Sequence, residues 1–225
     1  MDYFKRGLVF VTFFVACISM ALLVASLGTK HWISAKAKRI KNPLESDGKI
    51  HFGLFDGKKE LNVAYGWRSY EIDVIHLVKY EPEFLTYGLW LGTLVAVCAG
   101  LLFSGLSALF AATNTATTTS RTLTGVSGLY LWNFLAVLCD VSALCLWTAQ
   151  FYTNIQYSVL SREDKDNEWT SEDMAEFGYS FWFVAGAAVA SFINIILIFI
   201  SNIEKDVEKV IPVLEEKTNG AIMLY

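Results

Sequence analysis

The stretch GLVFVTFFVACISMALLVASLGT, Gly7 to Thr29, decides the fold class. It contains no Asp, Glu, Lys, Arg or His. Phe84 to Ser120 and Phe177 to Ile203 are equally free of charge, and Thr122 to Ser161 carries only Asp140. A bilayer core of ~30 Å is crossed by ~20 apolar residues in an α-helix. Lipid offers the backbone no hydrogen-bond partner, so such runs fold as helices. Four spans are expected near 8–28, 85–111, 126–150 and 178–201. The runs lack the alternation of barrel strands. The first span, with Lys5 and Arg6 before it, also reads as a signal peptide, but its apolar run exceeds the usual signal core.

The rest of the chain agrees. Of 225 residues, 54% are hydrophobic and 18% charged, too apolar for an average soluble domain. Net charge is −4, which gives no reason to expect a nucleic-acid partner. The expected architecture is an all-α membrane protein, one tetraspan domain over 1–225. A large first loop (30–84) and a tail (202–225) flank the bundle. Ile50 to Phe55 followed by Asp56-Gly57 reads as a strand and hairpin turn, so a small extracellular β-sheet is expected in the first loop. Tail residues Ile203, Val207, Val210, Ile211 and Leu214 recur at helical spacing, as in a surface helix or a solvated extension of the last span. Tyr3, Phe4, Trp32, Tyr87, Trp90, Trp147, Phe151, Tyr152, Tyr179 and Trp182 cluster at span ends, as in a membrane aromatic belt.

Orientation is contested by the charges. The termini and the middle loop carry Lys5, Arg6, Arg121, Lys205, Lys209 and Lys217. The other side carries more, including Lys30, Lys36, Lys38, Arg39 and Lys41 just past the first span. A literal positive-inside count puts the termini outside, although the first loop approaches the ~60-residue length at which that rule fades.

Several residues invite specific readings. Gly88, Gly92 and Gly100 in the second span, and Gly186 and Ala190 in the fourth, form small-residue stripes. These serve packing within the bundle, self-association or other membrane-protein partners. Asp140 is the only acid near the middle of a span; it is either an ion or proton site, or a carboxyl satisfied by Asn133, Asn194, Ser142 or a water. Cys17, Cys98, Cys139 and Cys145 all fall within spans, so neither large loop is closed by a disulfide. No Asn-x-Ser/Thr site occurs. His31, His51 and His76 lack metal-ligand spacing, and no phosphate loop, nucleophile elbow or dinucleotide fingerprint is present. No enzyme chemistry, metal or cofactor is expected. Met223-Leu224-Tyr225 suits a PDZ groove if the C terminus is cytoplasmic.

Trp32 and Gly53-Leu54-Phe55 on a four-span chain resemble the claudin-like tetraspan group. The chain has Phe55 where a claudin has Trp, and lacks the two loop cysteines. It more closely resembles the clarin family. The resemblance runs through Leu27-Gly28-Thr29 with Trp32-Ile33-Ser34, Phe52 to Gly57, His76 to Lys79, Gly128 to Asn133, Ser180-Phe181-Trp182 with Asn194, and Met223-Leu224-Tyr225. It lacks the first-loop cysteines and glycosylation site common in that family. The resemblance implies cytoplasmic termini, a plasma-membrane or vesicular location, and a non-enzymatic role. That role is organising membrane and actin-linked assemblies in sensory cells. Trp32, Gly53, Leu54 and Phe55 would seat the first loop. A claudin-like adhesion or barrier protein, and a channel or transporter auxiliary subunit, are the alternatives.

Overall fold

In the computed structural model the described residues are 3–43, 46–63, 66–81, 83–116 and 125–222; side chains are described from 7 to 201 within these segments, except 126. Four helices are long and apolar enough to cross a membrane. They are α1 (Tyr3–Gly28), α3 (Tyr87–Ala116), α4 (Val126–Gln150) and α6 (Tyr179–Ile222). Their spanning parts are Gly7–Gly28, Tyr87–Ala116, Ser127–Ile155 and Tyr179–Ser201. The second span begins two residues later than expected and runs on to Ala116. The third is prolonged by a π-helical turn, Phe151–Ile155. Beyond the membrane-crossing part, α6 continues as helix through the tail to Ile222. α1 packs on α3 and α6, and α4 packs on the same two helices, so the bundle is a ring with α1 and α4 on opposite corners.

The first loop folds as expected into antiparallel strands: β1 (Ile33–Arg39), β2 (Gly48–Phe52), β3 (Asp56–Val63) and β4 (Gly66–Asp73), then a short helix α2 (Val74–Tyr80). Asp73 caps α2, its carboxylate accepting from the His76 amide at 3.0 Å. The sheet is larger than the first loop. The acidic segment between α4 and α6 forms α5 (Arg162–Asp166), β5 (Trp169–Thr170) and β6 (Ala175–Phe177), and both strands pair with β1. The order is β4-β3-β2-β1, with β5 and β6 side by side on the outer edge of β1. Strands this short acquire their conformation from the partner rather than from their own sequence. The two loops therefore form one unit on one side of the bundle. Lys59 to Asp164 joins them in a mostly buried ion pair, with the Ser161 hydroxyl also donating to Asp164.

Two sequence readings need correction. The hairpin turn is not Asp56-Gly57. Gly53 N donates to Asp56 O at 2.8 Å, so the chain reverses over Gly53-Leu54-Phe55, and Asp56 and Gly57 already belong to β3. The turn moves because Leu54 drops into the core, fully buried. The aromatic belt is also smaller. Tyr87, Tyr152, Tyr179 and Trp182 are exposed on the helices as a belt requires, but Phe151, Trp32, Trp90 and Trp147 are buried, and the side chains of Tyr3 and Phe4 lie outside the described ones. The buried indole rings fill the junction between sheet and bundle.

Candidate functional site: the sheet–bundle joint and the polar core

The chain leaves α1 through Thr29-Lys30-His31-Trp32, and this short segment is the pivot of the molecule. The Trp32 indole N–H donates to Ser26 O at 2.9 Å, turning the ring back beneath the end of α1. Its edge meets Trp147 of α4, ring centroids 4.9 Å apart. Ser26 Oγ donates to Ser180 O at 2.9 Å, and Thr29 Oγ1 lies 2.6 Å from Ser180 Oγ. The Ser180 amide donates to His31 O and the Gly178 amide to Trp32 O. The exit of α1 and the start of α6 are thus laced together before either reaches the sheet. Trp90 of α3 donates from its indole N–H to Leu54 O at 2.8 Å, fixing the hairpin to a third helix.

Two glycines flank this segment. A Cβ on Gly53 would stand 2.5 Å from Thr29 O, and one on Gly178 would collide with His31 O. Real Cβ atoms do not approach that closely, so both positions require glycine for space rather than for backbone angle. Of the residues expected to seat the loop, Trp32, Gly53 and Leu54 meet at this joint. Phe55 does not, being 39% exposed, and only its carbonyl takes part, accepting from Val74 N. The sequence gives no such role to Gly178 or Ser26, places Ser180 only in a family resemblance, and assigns Trp90 and Trp147 to the aromatic belt. The available signal was that Gly178 directly precedes an aromatic run opening a span.

His31 lies between two rings. Its imidazole stacks on His51 at 4.4 Å and on Tyr179 at 4.6 Å, with Nδ1 2.9 Å from the Tyr179 hydroxyl. Burial, and then the neighbouring His31, hold His51 below its ordinary pKa of 6.5. The folded state therefore binds fewer protons than the unfolded chain near pH 6. The joint has its full stability above 6.5 and loses it as pH falls through the lowered folded value. A melting temperature in detergent that falls between pH 7.5 and 5.5, with a smaller fall in His51→Gln, is the expected result.

Inside the bundle the apolar core is divided. One cluster, with Leu23, Val97, Ala143, Trp147 and Val184, underlies the sheet; a smaller one, Val9, Ala111, Leu129 and Ile198, closes the far end. Buried polar side chains lie among the helices between them. Ser19 Oγ is 3.2 Å from both Ser104 Oγ and Ser191 Oγ, linking α1, α3 and α6. Asn133 Nδ2 donates to Ser107 Oγ at 2.7 Å, and Asn194 Nδ2 to Asn133 Oδ1 at 3.2 Å. Such interhelical bonds contribute on average ~0.6 kcal/mol each in lipid.

Asp140 is fully buried, but it does not meet the partners expected for it. Asn133 and Asn194 bond each other, and Ser142 donates to the Leu138 carbonyl on the exposed side. Both Asp140 carboxyl oxygens are without a hydrogen-bond partner, and a Cβ on Gly100 would collide with Oδ1. Gly100 thus makes room for a carboxyl rather than for a helix. Gly92 faces Leu146 of α4, and Gly186 faces Leu22 of α1. Ala190 is buried within the bundle. Gly88 is exposed, with nothing near its missing side chain, so Gly88 and Gly92 do not act together inside the bundle. Met223, Leu224 and Tyr225 lie outside the described residues. No group of three or more His, Cys, Asp or Glu able to hold a metal occurs among the described residues.

Comparison with known proteins agrees with this architecture. A family model described as Clarin-2-like matches residues 4–198. Clarin-2 of Homo sapiens is 25% identical over 213 residues, covering 89% of this chain and 90% of that protein. Clarin-3 of Rattus norvegicus is 22% identical over 183 residues, covering 80% of each. Clarin-3 of Homo sapiens is 21% identical over 197 residues, covering 86% of each. With the match running from α1 to α6, this four-span, sheet-capped chain belongs to the clarin family as a divergent member.

Proposed function

We propose that this clarin-like tetraspan protein is a non-enzymatic organiser of membrane and actin-linked assemblies in sensory cells. It would reside in the plasma membrane and in vesicles that exchange with it. The observation that carries the reading is the division of the molecule between its two ends. On one side, both large loops merge into a single sheet rooted by indoles in three helices, a rigid surface for contact. On the other, α6 runs on as helix well past its membrane-crossing part. A protein built in this way can couple a partner on one face of the membrane to one on the other. In this reading the termini are cytoplasmic, the sheet faces outward, and Met223-Leu224-Tyr225 adds as a strand to a PDZ scaffold.

Protease treatment of intact cells carrying terminal tags tests the orientation. The tags are expected to survive until the membrane is permeabilised. Cleavage in intact cells would overturn the orientation and, with it, the PDZ coupling. In the same cells, deleting Leu224 and Tyr225 is expected to abolish capture of an actin-linked PDZ scaffold; undiminished capture would remove the tail from the mechanism.

A further inference from the structure

The basic run Lys36-Ala37-Lys38-Arg39-Ile40-Lys41 opposes the proposed orientation if it is read as a topology signal. The fold gives it another use. On β1, Ala35 and Ala37 face the core while Lys36 and Lys38 project from the opposite face. The β1–β2 register sets Lys49 directly across from Lys36. Like charges in that position destabilise a strand pair, and they are offset only in part, by Glu60 directly across from Lys49 on β3 and by Glu176 opposite Ser34 on β6. Among the described residues, no carboxylate lies within ion-pair distance of Lys36, Lys38 or Lys49. Three of the nearby acids are already engaged: Glu60 with Lys58 at 2.6 Å, and Asp56 and Glu71 with Lys30. Asp47, one residue before β2, and Glu176 on β6 remain against the three ammonium groups. Arg39 and Lys41 turn elsewhere, Arg39 over Trp169 and Lys41 to Glu168. Lys49 lies over the ring of Trp67 at 5.9 Å, and Trp67 is 53% exposed on the neighbouring hairpin.

We propose that this face of the sheet binds a sulfated polysaccharide chain. Clustered lysines of this kind are heparin- or nucleic-acid-binding signatures, and a sheet on the outer face of the cell meets the former. Lys36 and Lys38 project ~7 Å apart along β1, and Lys49 stands ~5 Å across from Lys36, so successive sulfates of one chain reach successive ammonium groups. Trp67 is half-exposed, and the part of its ring that Lys49 leaves open offers a sugar ring a surface to stack on. A bilayer fits less well. Ile33, the end of β1 nearest the helices, is paired with Phe52 and Phe177. Lys36 and Lys38 lie ~10 and ~17 Å further along the strand, at or beyond the ~8 Å over which salt screens a charged surface.

The proposal rests on the outward-facing sheet, so binding and orientation are read separately. Purified full-length protein in detergent is passed over immobilised heparin and eluted with salt. This arm is indifferent to orientation, which the tag experiment reports. Wild type is expected to be retained at physiological salt. Lys36→Gln/Lys38→Gln/Lys49→Gln is expected to lose about ten-fold or more in affinity, with a shallower salt dependence. All three side chains reach solvent, so the melting temperature should not fall. Trp67→Ala, which leaves the charges in place, should weaken binding less. Equal retention of the triple variant would overturn the proposal. So would equal binding of fully desulfated heparin, or capture by phosphatidylserine vesicles without capture by heparin.

Discussion

Replacing Gly178 by alanine is expected to be among the most damaging single changes in this protein, costing about 3 kcal/mol or more, at the upper end of overpacking effects. The reason is the nature of the neighbour. The added Cβ would collide with the carbonyl oxygen of His31 and crowd the Trp32 backbone. A flexible side chain swings aside, but these are main-chain atoms held from several directions. His31 O accepts from Ser180 N, Trp32 O accepts from Gly178 N, and Trp32 N donates to Phe52 O. Shifting them to admit a methyl group breaks the lacing between α1, α6 and β2 together. Gly53→Ala should act similarly from the other side, since its Cβ would meet Thr29 O at 2.5 Å. Gly7 and Gly28, with nothing near a Cβ, are the controls, and alanine there should be tolerated or mildly stabilising within a helix. Thermal unfolding of detergent-solubilised protein, read by size-exclusion profile after heating, measures all four. If Gly178→Ala melted with the controls, the joint would not be the tightly packed pivot described above.

The bundle was legible in the sequence because the membrane imposes a local rule. A segment either supplies about 20 uncharged apolar residues or it does not, and Gly7 to Thr29 satisfies that rule without reference to any other part of the chain. The joint was only half legible. Gly53 and Trp32 stood out, but Gly178 is recognisable only once α6 is known to start against the α1 exit. β5 and β6 were illegible for the same reason: Trp169-Thr170 becomes a strand by pairing with Lys38 and Arg39. Indoles at span ends misled. Composition places Trp32 and Trp147 in the headgroup layer, but both are fully buried beneath the sheet. An aromatic residue at the membrane boundary of a bare bundle faces lipid. The same residue under a sheet faces the core, and only the sheet's position decides between them.

Gly100 and Asp140 are expected to behave as one unit, and a double-mutant cycle should show it. Gly100→Ala alone should cost about 2 kcal/mol, because its methyl group would occupy the space of the Asp140 Oδ1. The carboxyl has little space to retreat, since Asp140 is fully buried and Ala136 and Ala143, one turn away on either side along α4, are buried as well. Asp140→Ala alone should be neutral or stabilising. It removes two buried oxygens without a hydrogen-bond partner, and a polar group left in that condition costs about 1–3 kcal/mol. In the Asp140→Ala background, Gly100→Ala should then cost almost nothing, since the new methyl group fills the volume that the carboxyl vacated. The coupling energy would be about 2 kcal/mol, well above the ~0.5 kcal/mol expected of independent sites. Asp140→Asn, which keeps the shape, should retain the Gly100→Ala penalty, separating steric from ionic coupling. The opposite pattern is equally readable. If Asp140→Ala were strongly destabilising by itself, the carboxyl would be gaining stability from an interaction within the bundle core. Asp140 would then be a working group of the polar core, and Gly100 the residue that admits it.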